Sequence, residues 1–106
     1  MADLGSIVHK LRSKNAGPFW LTIDIFCGER TIFERVSNGL TSARVAEVLG
    51  ANVEDIKRFD IADLNVVKFS LPRPAVQGSR DDRDMHGASY AALLAEVECP
   101  PSDRLR

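Results

Sequence analysis

The stretch FWLTIDIFC, residues 19–27, decides the fold because apolar, β-branched and aromatic side chains alternate along it. The alternation predicts a strand with two faces. One face carries Phe19, Leu21, Ile23, Ile25 and Cys27, and the other carries Trp20, Thr22, Asp24 and Phe26. Because the second set includes two aromatic residues, this pattern predicts that the second face is covered as well.

A helix is predicted over residues 42–49, downstream of this strand. Thr41 is a typical N-cap residue, and Gly50 stands where helices often end on a left-handed residue. The inward-facing residues of the predicted helix are Val45, Val48 and Leu49. The spacing of these three residues indicates that the helix packs on the strand through one apolar face.

The later segments complete an α+β pattern. Strands are predicted at 53–59, 64–71 and 95–99, and a short helix at 90–94. The connection at 60–63 makes the first two of these strands antiparallel neighbours, and Pro72 and Pro74 end the second. The order strand, helix, strand, strand, helix, strand predicts a ferredoxin-like split βαβ sandwich, with an antiparallel sheet and helices on one face.

The remaining segments are less regular. Residues 4–11 fit either a helix or the start of a strand, and residues 31–36 are ambiguous, with a turn predicted at 37–39. Two polar segments, 12–18 and 75–84, predict loops because they combine turn-forming residues with charges and carry no apolar periodicity.

The length and charge of the chain limit its functions. Its 106 residues predict one domain, with an ordered core over residues 4–99 and a tail at 100–106. Its apolar runs are far shorter than the ~20 residues that a membrane span needs. Fourteen basic residues against 15 acidic ones leave a net charge of −1, so no global field favours nucleic acid or an anionic membrane. We therefore expect no nucleic-acid and no membrane partner.

The two cysteines, Cys27 and Cys99, predict no metal site. They lie far apart, without CxxC spacing or a nearby histidine pair, and we expect both to be reduced core residues. The start Met-Ala-Asp-Leu-Gly lacks the basic and apolar regions of a secretory signal. We therefore expect a cytoplasmic protein without a metal or other cofactor.

The polar segment 12–18 is the first candidate binding site. Its charged groups and hydrogen-bond donors are Arg12, Ser13, Lys14, Asn15 and the backbone near Gly17. Carboxylate and phosphate oxygens are the matching acceptors. The segment predicts binding of a small anion, and a solvated turn without a specific role is the alternative.

Three residues are candidates for proton transfer. Asp24 stands in the centre of an apolar strand, where a carboxylate needs a partner. The candidate structural partners of Asp24 are Arg12, Lys14 and Arg73. Asp84 and His86 precede the terminal helix, although a solitary surface histidine is more often inert. No Ser-His-Asp order, HExxH motif or Walker-type glycine pattern is present.

Several of these residues also carry a family resemblance. The string RSKNAGPF at 12–19 is followed by LTIDIF at 21–26, and Arg73-Pro74, Gly78, Asp84 and Gly87 come later. This pattern resembles the small bacterial family known as domain of unknown function 4387, over residues 4–99. The chain departs from the family at Ala88-Ser89-Tyr90, where glutamines and a histidine are usual.

The resemblance implies a partner. Members are commonly encoded beside, or fused to, acyclic terpene utilisation proteins, which implies a two-component system with a larger subunit. Those larger proteins often end in a ferredoxin-like domain that opens with an Arg-Ser-Gly-Asp-Lys-Gly loop. Residues 12–17 of this chain are distantly similar to that loop.

Two hypotheses follow. In the first, the chain is the small subunit of a two-component enzyme, a cofactor-free hydratase or dehydratase, and helps to form a site for a small carboxylate or acyl thioester. The anion would be held by Arg12, Ser13, Lys14, Asn15, Gly17, Arg73 and Ser79. Asp24 would orient the first polar segment, and Asp84 or His86 would transfer protons.

In the second hypothesis, the chain is a non-catalytic, self-associating regulator that binds a small anion or a partner. Both hypotheses predict that another chain covers a face or an edge of the sheet.

Overall fold

Four antiparallel strands form the main sheet of the computed structural model, which describes residues 2–17, 19–72 and 89–99. The strands are β2 (Lys10–Asn15), β3 (Trp20–Phe26), β4 (Lys57–Ile61) and β5 (Val66–Pro72). Their spatial order is β2-β3-β5-β4, so β3 and β5 are the two inner strands. A separate small sheet pairs β1 (Ala2–Asp3) with β6 (Glu98–Cys99).

Helices pack on one face of the main sheet. They are α1 (Leu4–Ile7), α2 (Arg30–Gly39), α3 (Ser42–Leu49) and α4 (Ser89–Ala95). Their buried side chains form one core with those of the inner strands. The predicted α+β class, with an antiparallel sheet, is confirmed, and the element order from β3 to β6 is compatible with the ferredoxin-like arrangement. The last strand pairs with β1, and β2 is the outer neighbour of β3.

The register of the inner strands explains the core. Ile23 pairs with Phe69, and the neighbouring pairs are Leu21 with Leu71 and Ile25 with Val67. These residues are almost completely buried, as the alternation predicts for this face. Phe19 is an exception, because it precedes β3 and is 60% exposed. No described helix supplies the predicted cover on the second face, whose exposure is uneven: Trp20 is 40% exposed, whereas Thr22 is buried and Phe26 is half-buried.

The predicted loop at 12–18 is wrong, because its first four residues belong to β2. This strand pairs with β3 in a register that places Arg12 opposite Asp24. Exposed residues alternate with more buried ones along β2. This is the period-two pattern of a strand, but its inward positions include Ser13 and Asn15 instead of apolar residues. The chain reverses its direction only between Asn15 and Trp20, where Gly17 has a φ of +82°.

The ambiguous residues 31–36 and the predicted turn at 37–39 form one helix, α2. The turn prediction is wrong because Phe33, Val36 and Leu40 recur at helical spacing and are all buried. The amide of Leu40 donates to the carbonyl oxygen of Val36 at 2.9 Å and closes the last turn. The apolar spacing therefore outweighs the turn preference of Asn38 and Gly39.

Helix α3 and its caps are confirmed. It spans Ser42–Leu49, the hydroxyl of Thr41 accepts a hydrogen bond from the amide of Arg44 at 3.1 Å, and Gly50 has a φ of +69°. Val45 and Leu49 are buried, and Val48 is half-buried. The cap residues and the apolar spacing therefore agree with each other and with the observed bounds.

Other element bounds move by a few residues. The predicted strand 53–59 begins instead with a 3-10 turn at Val53–Asp55, and β4 extends to Ile61. A second 3-10 turn, Ala62–Leu64, and the left-handed Asn65 (φ 54°) delay β5 to Val66. The open question at 4–11 resolves into α1 followed by the start of β2. At the other end, only Glu98–Cys99 of the predicted strand 95–99 is extended.

Candidate functional site

The main sheet has a second face that the described helices leave uncovered, here termed the open face. Its residues alternate with the helix-facing residues along each strand. Its polar and charged members are Lys10, Arg12, Lys14, Thr22, Asp24, Lys57, Lys68 and Ser70. Its apolar members are Trp20, Phe26, Phe59, Ile61, Val66 and Pro72. Because Asp24 is the only acidic residue among these described members, they make the open face locally basic in a chain with a net charge of −1.

One row of this face crosses all four strands. Lys14 lies opposite Thr22, Thr22 opposite Ser70, and Ser70 opposite Lys57. The row therefore has a hydroxyl on each inner strand and a lysine on each outer strand. Lys57 Nζ lies 5.8 Å from the centre of the Trp20 ring, two strands away. The side chains of Lys57 and Trp20 therefore meet over β5, the strand that separates them.

Thr22 is unusual within this row. It is only 8% exposed, although it lies on the open face. Its buried Oγ1 has no hydrogen-bond partner among the described residues. A buried hydroxyl without a partner costs free energy, so this atom requires an explanation.

The next row contains Asp24 between two cations. Arg12 lies opposite Asp24 on β2, and Lys68 lies opposite it on β5. Asp24 is half-buried. Of its predicted partners, Arg12 is in a suitable position, whereas Lys14 faces Thr22 instead. Directly opposed charges on neighbouring strands attract each other by about 0.2–1 kcal/mol.

The predicted anion-binding residues of β2 divide between the two faces of the sheet. Arg12 and Lys14 lie on the open face, whereas Ser13 and Asn15 lie on the helix-covered face. Ser13 is 5% exposed, and its Oγ accepts a hydrogen bond from the Ala91 amide of α4 at 2.8 Å. The structure therefore brings Arg12, Lys14 and Asp24 together and separates them from Ser13 and Asn15. The exposed Gly17 lies in the turn beyond the strand.

The other predicted site residues lie outside the described part of the chain. They are Arg73, Ser79, Asp84 and His86. Their predicted roles in anion binding and proton transfer remain predictions, as do those of the residues on β2.

Comparison with known families identifies the chain. The family model described as Domain of unknown function (DUF4387) matches residues 4–98. The chain belongs to this family. The matched range of this DUF4387 domain includes β2, the open face and all four helices. No curated protein and no solved structure matches the chain.

Sequence reasoning missed four residues of the open face of this DUF4387 domain. They are Thr22, Lys57, Lys68 and Ser70 as members of a binding surface. A signal was present for two of them, because Lys68 and Ser70 alternate with the apolar Val67, Phe69 and Leu71. The alternation indicates one polar face, but the pairing of strands is what places it beside Arg12 and Lys14.

A cavity of about 190 Å³ lies on the other side of the sheet, at the end of β5. It is lined by Leu49, Gly50, Ala51, Asn52, Asp55, Leu71, Pro72 and Tyr90. The C-terminal end of α3 and the carboxylate of Asp55 contribute negative charge here. These surroundings disfavour an anion, so this cavity does not match the predicted ligand.

A polar cluster joins β4 to the end of α2. The guanidinium of Arg58 donates to the carbonyl oxygens of Ser37 and Leu40 and to the carboxylate of Asp60, which also accepts from the Ser37 hydroxyl at 2.7 Å. Burial raises the pKa of Asp60, but the bonds from Arg58 and Ser37 and the charge of Arg58 outweigh it. The pKa of Asp60 is therefore below its ordinary value. Arg58, Asp60 and the Ser37 hydroxyl therefore all have partners within the fold.

No three His, Cys, Asp or Glu side chains of residues 2–17, 19–72 and 89–99 lie close enough together to hold a metal ion. Within the same ranges, no helix has both the length and the apolar character to span a membrane. Cys27 is buried in the core, as expected.

Proposed function

We propose that this DUF4387 chain is the small subunit of a two-component assembly and that its open face binds a larger subunit of the acyclic-terpene-utilisation type. The observation that supports this proposal is the exposed apolar surface of the open face. Trp20 and Phe59, which is 48% exposed, lie on it beside an excess of cations. Exposed apolar patches rimmed by polar residues are typical of protein interaction sites.

The charge of the open face indicates the chemistry of the partner surface. Lys10, Arg12, Lys14, Lys57 and Lys68 are opposed only by Asp24. An acidic surface on the larger subunit would complement these cations and speed association. Two open faces of this chain would instead place like charges against each other, which argues against the self-associating regulator.

The assembly is proposed to act in the bacterial cytoplasm on a small carboxylate or acyl thioester, by cofactor-free hydration or dehydration. The family resemblance supports the choice of partner and substrate class. Arg12 and Lys14 support the role of this chain in binding, because both cations lie on the surface that the larger subunit would cover. Asp24 would position Arg12 from the neighbouring strand.

Co-expression with the larger subunit tests the proposal. We expect the two chains to co-purify and to be active only together. Reversing two charges of the open face, Arg12→Glu with Lys14→Glu, should abolish co-purification at low salt. Arg30→Glu, on an exposed position of α2, is the matched control and should leave it intact.

Light scattering at micromolar concentration distinguishes the alternatives. A stable homo-oligomer that does not bind the larger subunit would favour the regulator, and a monomer that does not bind it would refute both.

Single Arg12→Ala and Lys14→Ala variants should lower the activity of the complex by about ten- to hundredfold, since bonds from charged groups to a desolvated anion contribute about 1.5–3 kcal/mol. Their thermal midpoints should stay near that of the parent protein.

A further inference from the structure

We propose that the open face contains an oxyanion subsite formed by the hydroxyl groups of Thr22 and Ser70 and by the ammonium groups of Lys14 and Lys57. The ligand class is a single carboxylate or phosphate group. This inference rests on the proposed function in one respect, because it gives the small carboxylate of the proposed assembly a location on this chain.

The strand register supplies the geometry of the subsite. The four residues occupy successive strands at one level of the sheet. Neighbouring strands lie about 4.8 Å apart, so the two hydroxyl-bearing residues are adjacent and each lysine begins one strand further out. A lysine side chain is long enough to reach inward over this distance. The Lys57 ammonium group lies 5.8 Å from the centre of the Trp20 ring, which brings it beside a residue of β3.

The hydroxyl of Thr22 is the observation that indicates a ligand. It is more than nine-tenths buried, it lies on the open face, and it has no hydrogen-bond partner among the described residues. A threonine hydroxyl donates one hydrogen, and an oxyanion accepts it. Valine has nearly the same shape and an equally good strand preference, so packing alone gives no reason for a hydroxyl here.

The charges around the row favour an anion over a cation. Among the residues that the structure describes, Asp24 is the one carboxylate on this face, two residues from Thr22 on the same strand. Arg12 and Lys68 flank Asp24 and oppose its charge. Lys14 and Lys57 lie opposite hydroxyl groups instead of a carboxylate and are the cations of the row itself, and Arg12 adds positive charge at its border. Trp20 borders the row on its other side and gives the subsite an aromatic neighbour.

Titration of the full chain tests the subsite. Trp20 is the only tryptophan, so its fluorescence reports on the movement of Lys57, and the amide resonances of residues 22 and 70 report locally. The probes are sodium acetate and sodium phosphate. Sodium chloride at matched ionic strength controls for screening, and acetamide is the neutral analogue of acetate. We expect saturable shifts with acetate or phosphate and none with chloride or acetamide.

Variants distinguish binding at the subsite from general electrostatic attraction of anions to the basic open face. Thr22→Val and Lys14→Met should each weaken binding of the responding anion by about tenfold or more. Arg44→Met is the control, because Arg44 is an exposed cation of α3 on the helix-covered side of the sheet, and it should bind as the parent does. Equal binding by the parent and Thr22→Val, or shifts that never saturate, would overturn the subsite.

The outcome is independent of the partner experiment. If the chain binds acetate but does not co-purify with the larger subunit, the subsite stands and the proposed function fails. If it co-purifies but binds neither anion, the subsite fails and the docking proposal stands. Acetate binding identifies a carboxylate site, and binding of phosphate alone identifies a phosphate site.

Discussion

The polar groups on the two faces of the main sheet differ in whether the fold supplies their hydrogen-bond partners. On the helix-covered face, Ser13 accepts a hydrogen bond from α4, and Arg58 donates to two backbone carbonyls and to Asp60. On the open face, Thr22 is buried and has no partner among the described residues, and Asp24 lies between two cations. One face therefore satisfies these polar groups within the fold, whereas the other leaves the Thr22 hydroxyl for the ligand that we propose.

This difference follows from strand periodicity. Neighbouring residues of β2 and β3 belong to opposite faces, so a residue that stabilises the fold adjoins one that is available for recognition. Substitutions on the helix-covered face should therefore change stability, and substitutions on the open face should change binding. Residues of the same type on opposite faces provide matched tests.

Two phenylalanines give the largest expected contrast. Phe69 is completely buried on the helix-covered face, and Phe59 is about half exposed on the open face. Phe69→Ala should lower the free energy of unfolding by about 3–5 kcal/mol, because it leaves a cavity in the core. Phe59→Ala should lower it by less than about 1 kcal/mol. Urea titrations measure both, and comparable losses would contradict the division between the faces.

Two arginines give the next contrast. Arg58→Met should lower the free energy of unfolding by about 2 kcal/mol at neutral pH, because the Asp60 carboxylate and two backbone carbonyls lose a charged donor. Arg12→Met, on the open face, should change stability by less than about 0.5 kcal/mol. The measurement is a urea titration of each variant at neutral pH.

The pH dependence of stability provides a second readout for Arg58. The pKa of Asp60 is lowered in the folded state, so its contribution to stability is present above its ordinary value of 3.8 and is lost as the pH falls through the folded pKa. Arg58→Met should flatten this acid dependence, and Arg12→Met should retain it. An unchanged acid profile in Arg58→Met would show that Asp60 does not depend on this contact.

The sequence predicts the helix-covered face better than the open face. The apolar alternation at 19–27 and the cap residues around α3 identify elements whose local pattern agrees with their packing. The prediction fails at β2, where small polar residues occupy inward positions. Ser13 is accommodated there because its hydroxyl accepts from α4, a partner 78 residues away that no local pattern reveals.

The open face depends on pairing between distant strands. Arg12 and Lys14 are evident as cations in the sequence, but their proximity to Lys57, Lys68 and Ser70 arises only when β3 pairs with β5 and β5 with β4. The loop predicted for 12–18 also placed Ser13 and Asn15 in the same candidate cluster as Arg12 and Lys14. Because successive strand residues face opposite sides, Ser13 and Asn15 lie on one face of β2 and Arg12 and Lys14 on the other.

Removal of each of two buried hydroxyl groups should change the stability of the protein in opposite directions. Ser13→Ala removes the acceptor of the Ala91 amide and should destabilise the protein by about 1 kcal/mol, as loss of a helix cap does. Thr22→Val replaces a buried hydroxyl that lacks a partner in the described structure with a methyl group, and it should stabilise the protein by up to about 1 kcal/mol. Thermal or urea unfolding measures both. A destabilised Thr22→Val would show that this hydroxyl already has a structural partner.

The smallest expected effect is the coupling between Asp24 and Arg12, which lie directly opposite each other on the open face. Asp24→Asn, Arg12→Gln and the double variant form a cycle, whose urea titrations should give a coupling of about 0.2–1 kcal/mol. Lys68 also faces Asp24, so the single Arg12→Gln change leaves the carboxylate with one cation. The coupling should weaken at high salt, because the pair is only partly buried. A coupling above about 3 kcal/mol would instead indicate a buried, obligatory ion pair and would assign Asp24 to the fold rather than to the binding surface.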